Sequence, residues 1–374
     1  MLLFSNNDKS ETSTDKDTVV LISARASWMD EVSSQLVLKN VSNIQRITDN
    51  FLKIESLDLS STIHTVIIDI ENATNTQKIT NKINTILLNT ASCLVVGDSD
   101  SIVLSQQFVQ AGVDYLHYPS QLTDIVARVK STRLELSNKR SAIKISVLGC
   151  KGGIGTSTIS YHLAQRIAVN NRVPVLLVQG HGGSQDIDII SDHILDNDVT
   201  EVTDYLSIKK NGGEITSNFY DPLLERYNFS IFDYPVFNLD KEKIEHILNF
   251  SDCVIFIISH DLASLRVAKL SQEVNRFLQT VGNGVKREFT CLNQIKPAGG
   301  AILSLGDLTA LLNNEISAQI IYQRPPNDPS KPLRLQGKPA ESLTVLAQKV
   351  LGQNPTSRKY TSHLSGLMQR YLKK

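Results

Sequence analysis

From Thr18 onward, short runs of β-branched and aliphatic residues alternate with longer stretches whose apolar positions recur at helical spacing. Val19-Val20-Leu21-Ile22, Val66-Ile67-Ile68 and Cys93-Leu94-Val95-Val96 are apolar at successive positions. That is the pattern of strands covered on both faces of a parallel sheet. A second series contains Ile145-Ser146-Val147-Leu148, Val175-Leu176-Leu177-Val178, Phe229-Ser230-Ile231-Phe232 and Val254-Ile255-Phe256-Ile257-Ile258. Strands and helices in alternation predict an α/β protein with two doubly wound domains, the first with a flavodoxin-like order.

The 374 residues also favour two domains, at roughly 100–200 residues each. The first, residues 18–136, is expected to close in a helix from about Gln121 to Leu136, with Leu122, Ile125, Val126 and Val129 on one face. A short polar linker over 137–142 follows, then a second domain over 143–353. Residues 1–17 are dominated by Ser, Thr, Asn, Asp, Glu and Lys and are expected to form a disordered tail, because they offer too little apolar surface to offset ordering entropy. Residues 354–374 are basic, with Leu364, Leu367, Met368, Tyr371 and Leu372 at helical spacing. Such a segment suits either a membrane surface or packing as a terminal helix on the second domain.

Lys+Arg and Asp+Glu both total 38, so no whole-protein field recruits nucleic acid, and no nucleic-acid partner is expected. The four cysteines lack the paired spacing of zinc or redox motifs, as in a reducing compartment. No apolar run approaches the roughly 20 residues of a bilayer span, and a soluble cytoplasmic protein is expected.

The chemistry concentrates at Lys151-Gly152-Gly153-Ile154-Gly155-Thr156-Ser157-Thr158, between a strand and a helix that together run from Ile145 to Asn170. This is the context of a phosphate-binding loop, in which glycines let backbone amides approach phosphate oxygens and the helix N-terminus adds a positive end. Ser157 is the candidate Mg²⁺ ligand. Thr156 stands where the ordinary loop has its phosphate-holding lysine, which leaves Lys151 as the available cation.

With these residues the chain resembles the MinD/ParA class of deviant Walker ATPases, in which the early lysine, here Lys151, reaches a partner's nucleotide across a dimer. The loop also resembles the version found in TadZ/CpaE pilus-assembly proteins, which join an atypical receiver-like domain to a MinD/ParA-like domain. The likeness extends roughly from Thr18 to Leu351. It includes Asp261-Leu262-Ala263-Ser264-Leu265-Arg266, which resembles a family segment, and Cys291-Leu292-Asn293-Gln294, which resembles the strand end whose asparagine reads adenine. Phe232-Asp233-Tyr234-Pro235 falls where a Walker B aspartate ends a strand, so that Asp233 would hold a metal-bound water; the alternative is an aspartate capping a turn before proline. The resemblance implies ATP or ADP with Mg²⁺, a homodimer, and a pilus or secretion ATPase with other assembly proteins as partners. It also implies work at the cytoplasmic face of the inner membrane or the cell pole.

Two departures weaken the expected chemistry. Where the class carries Asp-x-Asp after the second strand, this chain reads Gln179-Gly180-His181. Losing those carboxylates and the loop lysine together predicts slow or absent hydrolysis, hence a switch or scaffold rather than a fast ATPase. In the first domain Asp69 occupies a phosphoacceptor position, but Ser23-Ala24-Arg25 replaces an acidic pair and Tyr118-Pro119 replaces a lysine. Phosphorylation is therefore not expected, and the domain is read as a partner-binding or localisation module. A cycling ATPase and a response regulator remain the rival readings. Trp28 is assigned no site role.

Overall fold

The computed structural model of the chain describes residues 18–39, 41, 43–59, 63–131, 140–195, 198–210, 214–297, 303–328 and 331–353. The expected amino-terminal tail, the basic carboxyl-terminal segment and residues 137–139 of the linker lie outside this set.

The amino-terminal half contains β1 (Thr18–Ile22), α1 (Ala26–Leu38), β2 (Ile44–Ile47), β3 (Ile63–Asp69), α2 (Thr76–Ile86), β4 (Ser92–Gly97), α3 (Ile102–Gln110), β5 (Asp114–His117) and α4 (Asp124–Ser131). Its five strands are parallel and ordered β2-β1-β3-β4-β5, the flavodoxin-like order. Ile79, Ile83, Leu104 and Phe108 pack on one face, and Trp28, Met29, Val32, Leu36, Ile125 and Val126 on the other. Trp28 is fully buried and belongs to this core. The last helix starts three residues later than its periodicity predicts, because Leu122 belongs to a turn and packs from there.

The carboxyl-terminal half runs β6 (Ile143–Gly149), α5 (Thr156–Asn171), β7 (Val175–Gln179), α6 (Ile187–Ser191), β8 (Val199–Thr203), β9 (Leu206–Lys209), α7 (Ile215–Asn218), β10 (Phe229–Pro235), α8 (Lys241–Phe250), β11 (Cys253–Ile258), α9 (Leu262–Thr280), β12 (Arg287–Asn293), α10 (Leu305–Leu312), β13 (Ala318–Ile320) and α11 (Gly337–Val350). These strands form one sheet, β13-β12-β11-β6-β10-β7-β9-β8, parallel except for the β8/β9 pair. The chain leaves β6 towards β7, returns to fill the slot between them with β10, and then builds β11 on the other side. That reversal makes a switch point beside β6, where a crevice opens at the strand carboxyl ends. One face is covered by α5 and α11 through Ile159, Leu163, Ile167, Leu343 and Leu346; the other by α8, α9 and α10.

The two halves meet through buried polar groups. Asn228 Oδ1 accepts from Asn89 N at 3.1 Å, and its Nδ2 donates to Asn84 O at 2.8 Å and to Leu87 O. Asn89 Nδ2 in turn donates to Tyr227 O at 2.7 Å and Arg140 O at 3.1 Å. Arg140, expected in a solvated linker, is only 4% exposed. Its guanidinium donates to Leu88 O and Ala91 O, and burial lowers its pKa. The four cysteines are free and buried. Among the described residues no helix is long and apolar enough to cross a membrane.

Candidate functional site

The switch-point crevice is occupied by the glycine loop. β6 ends at Gly149, residues 150–155 turn, and α5 begins at Thr156. Ile154 is buried in the core with Val147 and Ile159, which pins the middle of the loop. Gly153 and Gly155 have φ of 70° and 80°, a region L side chains rarely adopt. A Cβ on Gly153 would meet nothing within 4 Å, so the loop is open there, whereas one on Gly155 would lie 2.7 Å from Asn293 Nδ2. Gly155 caps α5 without a side-chain hydrogen bond. The first-turn amides of this 16-residue helix are thus left without a capping side chain, as an anion-binding N-terminus requires.

The expected loop residues take distinct places. Gly152 sits beneath the Phe237 ring, and Thr156 turns its hydroxyl towards Gly149, where any added Cβ would collide with it. Ser157 and Thr158 are half-buried in the first turn of α5. Lys151 is exposed and its Nζ lies 2.8 Å from Asp261 Oδ2, so the lysine pairs with its own chain. Asp261 also caps α9 by accepting from Ser264 N at 3.0 Å. Partial burial pushes its pKa up, but the bonds from Lys151, Ser264 and Ser259 outweigh this and hold it below the usual range.

Asp233, on β10 beside β6, is 7% exposed and accepts from Ser160 Oγ at 3.0 Å. Ser157, one turn earlier on α5, is near enough for its side chain to favour the ionised carboxylate. The two residues expected to hold metal are therefore brought together. Burial raises the Asp233 pKa to about 6 against the opposing effect of both serines, and the field of Asp186 adds to the rise. Asp186 is a carboxylate the sequence reading did not count. The loop after β7 curls back, with Gln185 Nε2 donating to Gly180 O at 2.7 Å, and brings Asp186 within electrostatic reach of the site. The signal was the Gly182-Gly183 pair, which marks a loop able to fold back.

These groups fit a magnesium ion carried by a nucleotide. Mg²⁺ keeps several waters and needs only one or two carboxylates beside phosphate oxygens. Ser157 and Asp233 supply a hydroxyl and a carboxylate. Among the described residues no group of three or more His, Cys, Asp or Glu could hold a metal unaided. His181, the other departure in this region, is exposed.

Asn293, the residue whose resemblance implies adenine recognition, ends β12 beside the loop. Its Nδ2 donates to Ile154 O at 2.8 Å, and the side chain is 8% exposed, so in this structure it braces the loop from below.

In the amino-terminal half Asp69 is enclosed. It accepts from Ser23 Oγ at 2.6 Å, Arg25 Nε at 2.8 Å, Arg25 Nη2 at 2.6 Å and Glu71 N at 2.9 Å. The same guanidinium donates to both oxygens of Asp98 at 2.9 and 3.0 Å and lies 5.1 Å from the Tyr118 ring centroid. Arg25 has its pKa raised, chiefly by the Asp69 bonds. Sequence reading found the missing carboxylates here but not Asp98, nor the arginine that fills the space between the two acids.

No protein-family profile and no curated protein matches the chain. Solved structures similar to it include the MinD cell division protein of Aquifex aeolicus, at 18% identity and a TM-score of 0.43 over 57% of this chain and 98% of that one. The septum site-determining protein MinD of Pyrococcus horikoshii OT3, complexed with Mg-ADP, aligns at 15% identity and 0.44 over 60% and 98%. A ParA family ATPase from Chlorobium tepidum TLS aligns at 18% and 0.37 over 57% and 94%. At these values the likeness decides nothing about chemistry, which rests on the site itself.

Proposed function

We propose that this protein is a nucleotide-dependent switch that binds ATP or ADP with Mg²⁺ at residues 151–158, with Ser157 and Asp233 on the metal side. The observation that carries this reading is the glycine loop open at Gly153, set between a central strand and an uncapped helix N-terminus, with the buried Asp233 accepting from Ser160 of that helix at 3.0 Å. Phosphate is held by backbone amides and helix end, and Lys151 supplies the cation. Hydrolysis is slow or absent, because neither Thr156 nor Gln179 offers the charge that their positions usually carry.

On the resemblance of the loop, the protein acts as a homodimer whose occupancy governs recruitment of pilus or secretion machinery, with the 18–136 segment as a receiver-like partner module and 354–374 as a further contact. Two domains, at 18–136 and 143–353, are part of the same proposal. The site supports binding more directly than turnover. Asp186, in the field of Asp233, favours a second reading as a cycling ATPase. The clamp on Asp69 speaks against a response regulator.

Calorimetry with ATP and ADP, with Mg²⁺ and with chelator, tests the assignment. Binding that Asp233→Asn and Ser157→Ala weaken only when Mg²⁺ is present supports it. Absence of binding by the wild type removes it.

A further inference from the structure

Gln179 is a buried polar group of the crevice whose chemistry the proposed function does not use. It ends β7, directly opposite Asp233 in the parallel β7/β10 register. Along β7, Val175 and Leu177 face the α5 side of the sheet, and Phe229 and Ile231 do the same on β10. Alternation therefore sends Gln179 and Asp233 to that same side, as neighbours beside the first turn of α5. The residue is 2% exposed, yet neither Nε2 nor Oε1 finds a hydrogen-bond partner among the described residues.

Nearby polar groups are already engaged. Asp233 accepts from Ser160, the Gly180 N–H donates to Asp233 O at 3.0 Å, and Gly180 O accepts from Gln185. A buried amide with both ends unpaired is unfavourable, and proteins seldom retain one without a ligand or water to complete it. A Cβ on Gly180 would collide with Asp233 O and the Tyr234 ring, so the chain directly after Gln179 lies close against β10.

We propose that the Gln179 side chain is a ligand-facing group that completes the nucleotide site and makes it prefer a nucleoside triphosphate to a diphosphate. Nε2 donates to an oxygen of the terminal phosphate, and Oε1 accepts from water in that phosphate's hydration shell. A carboxylate in the same place could accept but not donate, and would add negative charge against phosphate. The neutral amide does both without that charge, which suits a site that holds triphosphate rather than one that activates water. This inference rests on the nucleotide-binding reading.

The test compares wild type, Gln179→Leu and Gln179→Glu. Calorimetry gives the affinities for Mg·ADP and for a non-hydrolysable Mg·ATP analogue, and thermal unfolding is followed without nucleotide. Wild type is expected to prefer the triphosphate, and both variants to lose about tenfold of that preference, the loss of one good hydrogen-bonding group. Gln179→Leu should also raise the nucleotide-free Tm by about 2–4 °C, because it removes the unpaired amide. A preference unchanged within about twofold, or a Tm that falls in Gln179→Leu, overturns the proposal while leaving nucleotide binding intact. Failure of the wild type to bind either nucleotide removes both readings together.

Discussion

Lys151 Nζ lies 2.8 Å from Asp261 Oδ2, which ties the loop lysine to the N-cap of α9 on its own chain. Their side chains are 47% and 38% exposed, so the pair is worth at most about 1 kcal/mol of stability. Asp261→Asn keeps an N-cap and removes the charge. It should change the stability obtained from urea denaturation by less than about 1 kcal/mol. Lys151→Ala should be equally mild for stability, yet lower nucleotide affinity about tenfold or more, since the lost contact is a charge-assisted one to phosphate.

Asp233 supplies a pH dependence with a definite sign. Its pKa is raised to about 6 by burial, so the folded protein holds this proton more tightly than the unfolded chain does. The contribution to stability is fully present below the unfolded pKa and is lost as pH rises through about 6. Metal-dependent nucleotide binding runs the other way, because the carboxylate must be ionised to serve. Affinity for Mg·ADP should fall by about tenfold per unit below pH 6, with proton release on binding, and Asp233→Asn should abolish that slope. Calorimetry in buffers of different ionisation enthalpy reads both.

Gly155→Ala should cost about 2–4 kcal/mol, combining a left-handed backbone with the Cβ placed 2.7 Å from Asn293 Nδ2. Asn293→Ala removes the obstacle and also the bond to Ile154 O. The double variant should therefore be less unstable than the two single changes add up to, by about 1 kcal/mol or more, in urea denaturation.

Asn228→Ala should destabilise the protein by about 2–4 kcal/mol, because Asn84 O, Leu87 O and the Asn89 amide would lose their partner in a buried junction. Limited proteolysis should digest the variant faster than the wild type. Equal stability to wild type would show that these bonds do not couple the halves.

Asp69 should resist acetyl phosphate in Mg²⁺, because four donors occupy its oxygens and the Arg25 guanidinium fills the space between it and Asp98. Intact-mass analysis of the treated protein checks this. A phosphoryl adduct on Asp69 would reverse the account of the amino-terminal half.

The parallel strands and the loop were legible because each rests on local pattern. A continuous apolar run such as Val254–Ile258 has one environment in which it is stable, and glycines before an amphipathic helix have few other uses. The β8/β9 pair was not legible: Val199–Thr203 is half-exposed at a sheet edge and mixes polar with apolar positions. Arg140 looked like linker because its buried partners, Leu88 O and Ala91 O, are backbone groups some fifty residues away that no side-chain pattern announces. Asp186 and Asp98 entered their sites through loop curvature, which spacing along a strand does not reveal. Ser160 escaped notice because a serine on a helix carries no signal until Asp233 is placed beside it.

The central claim is that occupancy of the Gly153 loop sets the state of assembly. Light scattering with ATP, with ADP and without nucleotide, for wild type and Lys151→Ala, with phosphate release followed on the same samples, tests it most directly. The account requires a wild-type dimer that forms with ATP and Mg²⁺, negligible turnover, and loss of that dimer in Lys151→Ala. Brisk Lys151-dependent turnover, or an oligomeric state indifferent to nucleotide, would contradict it.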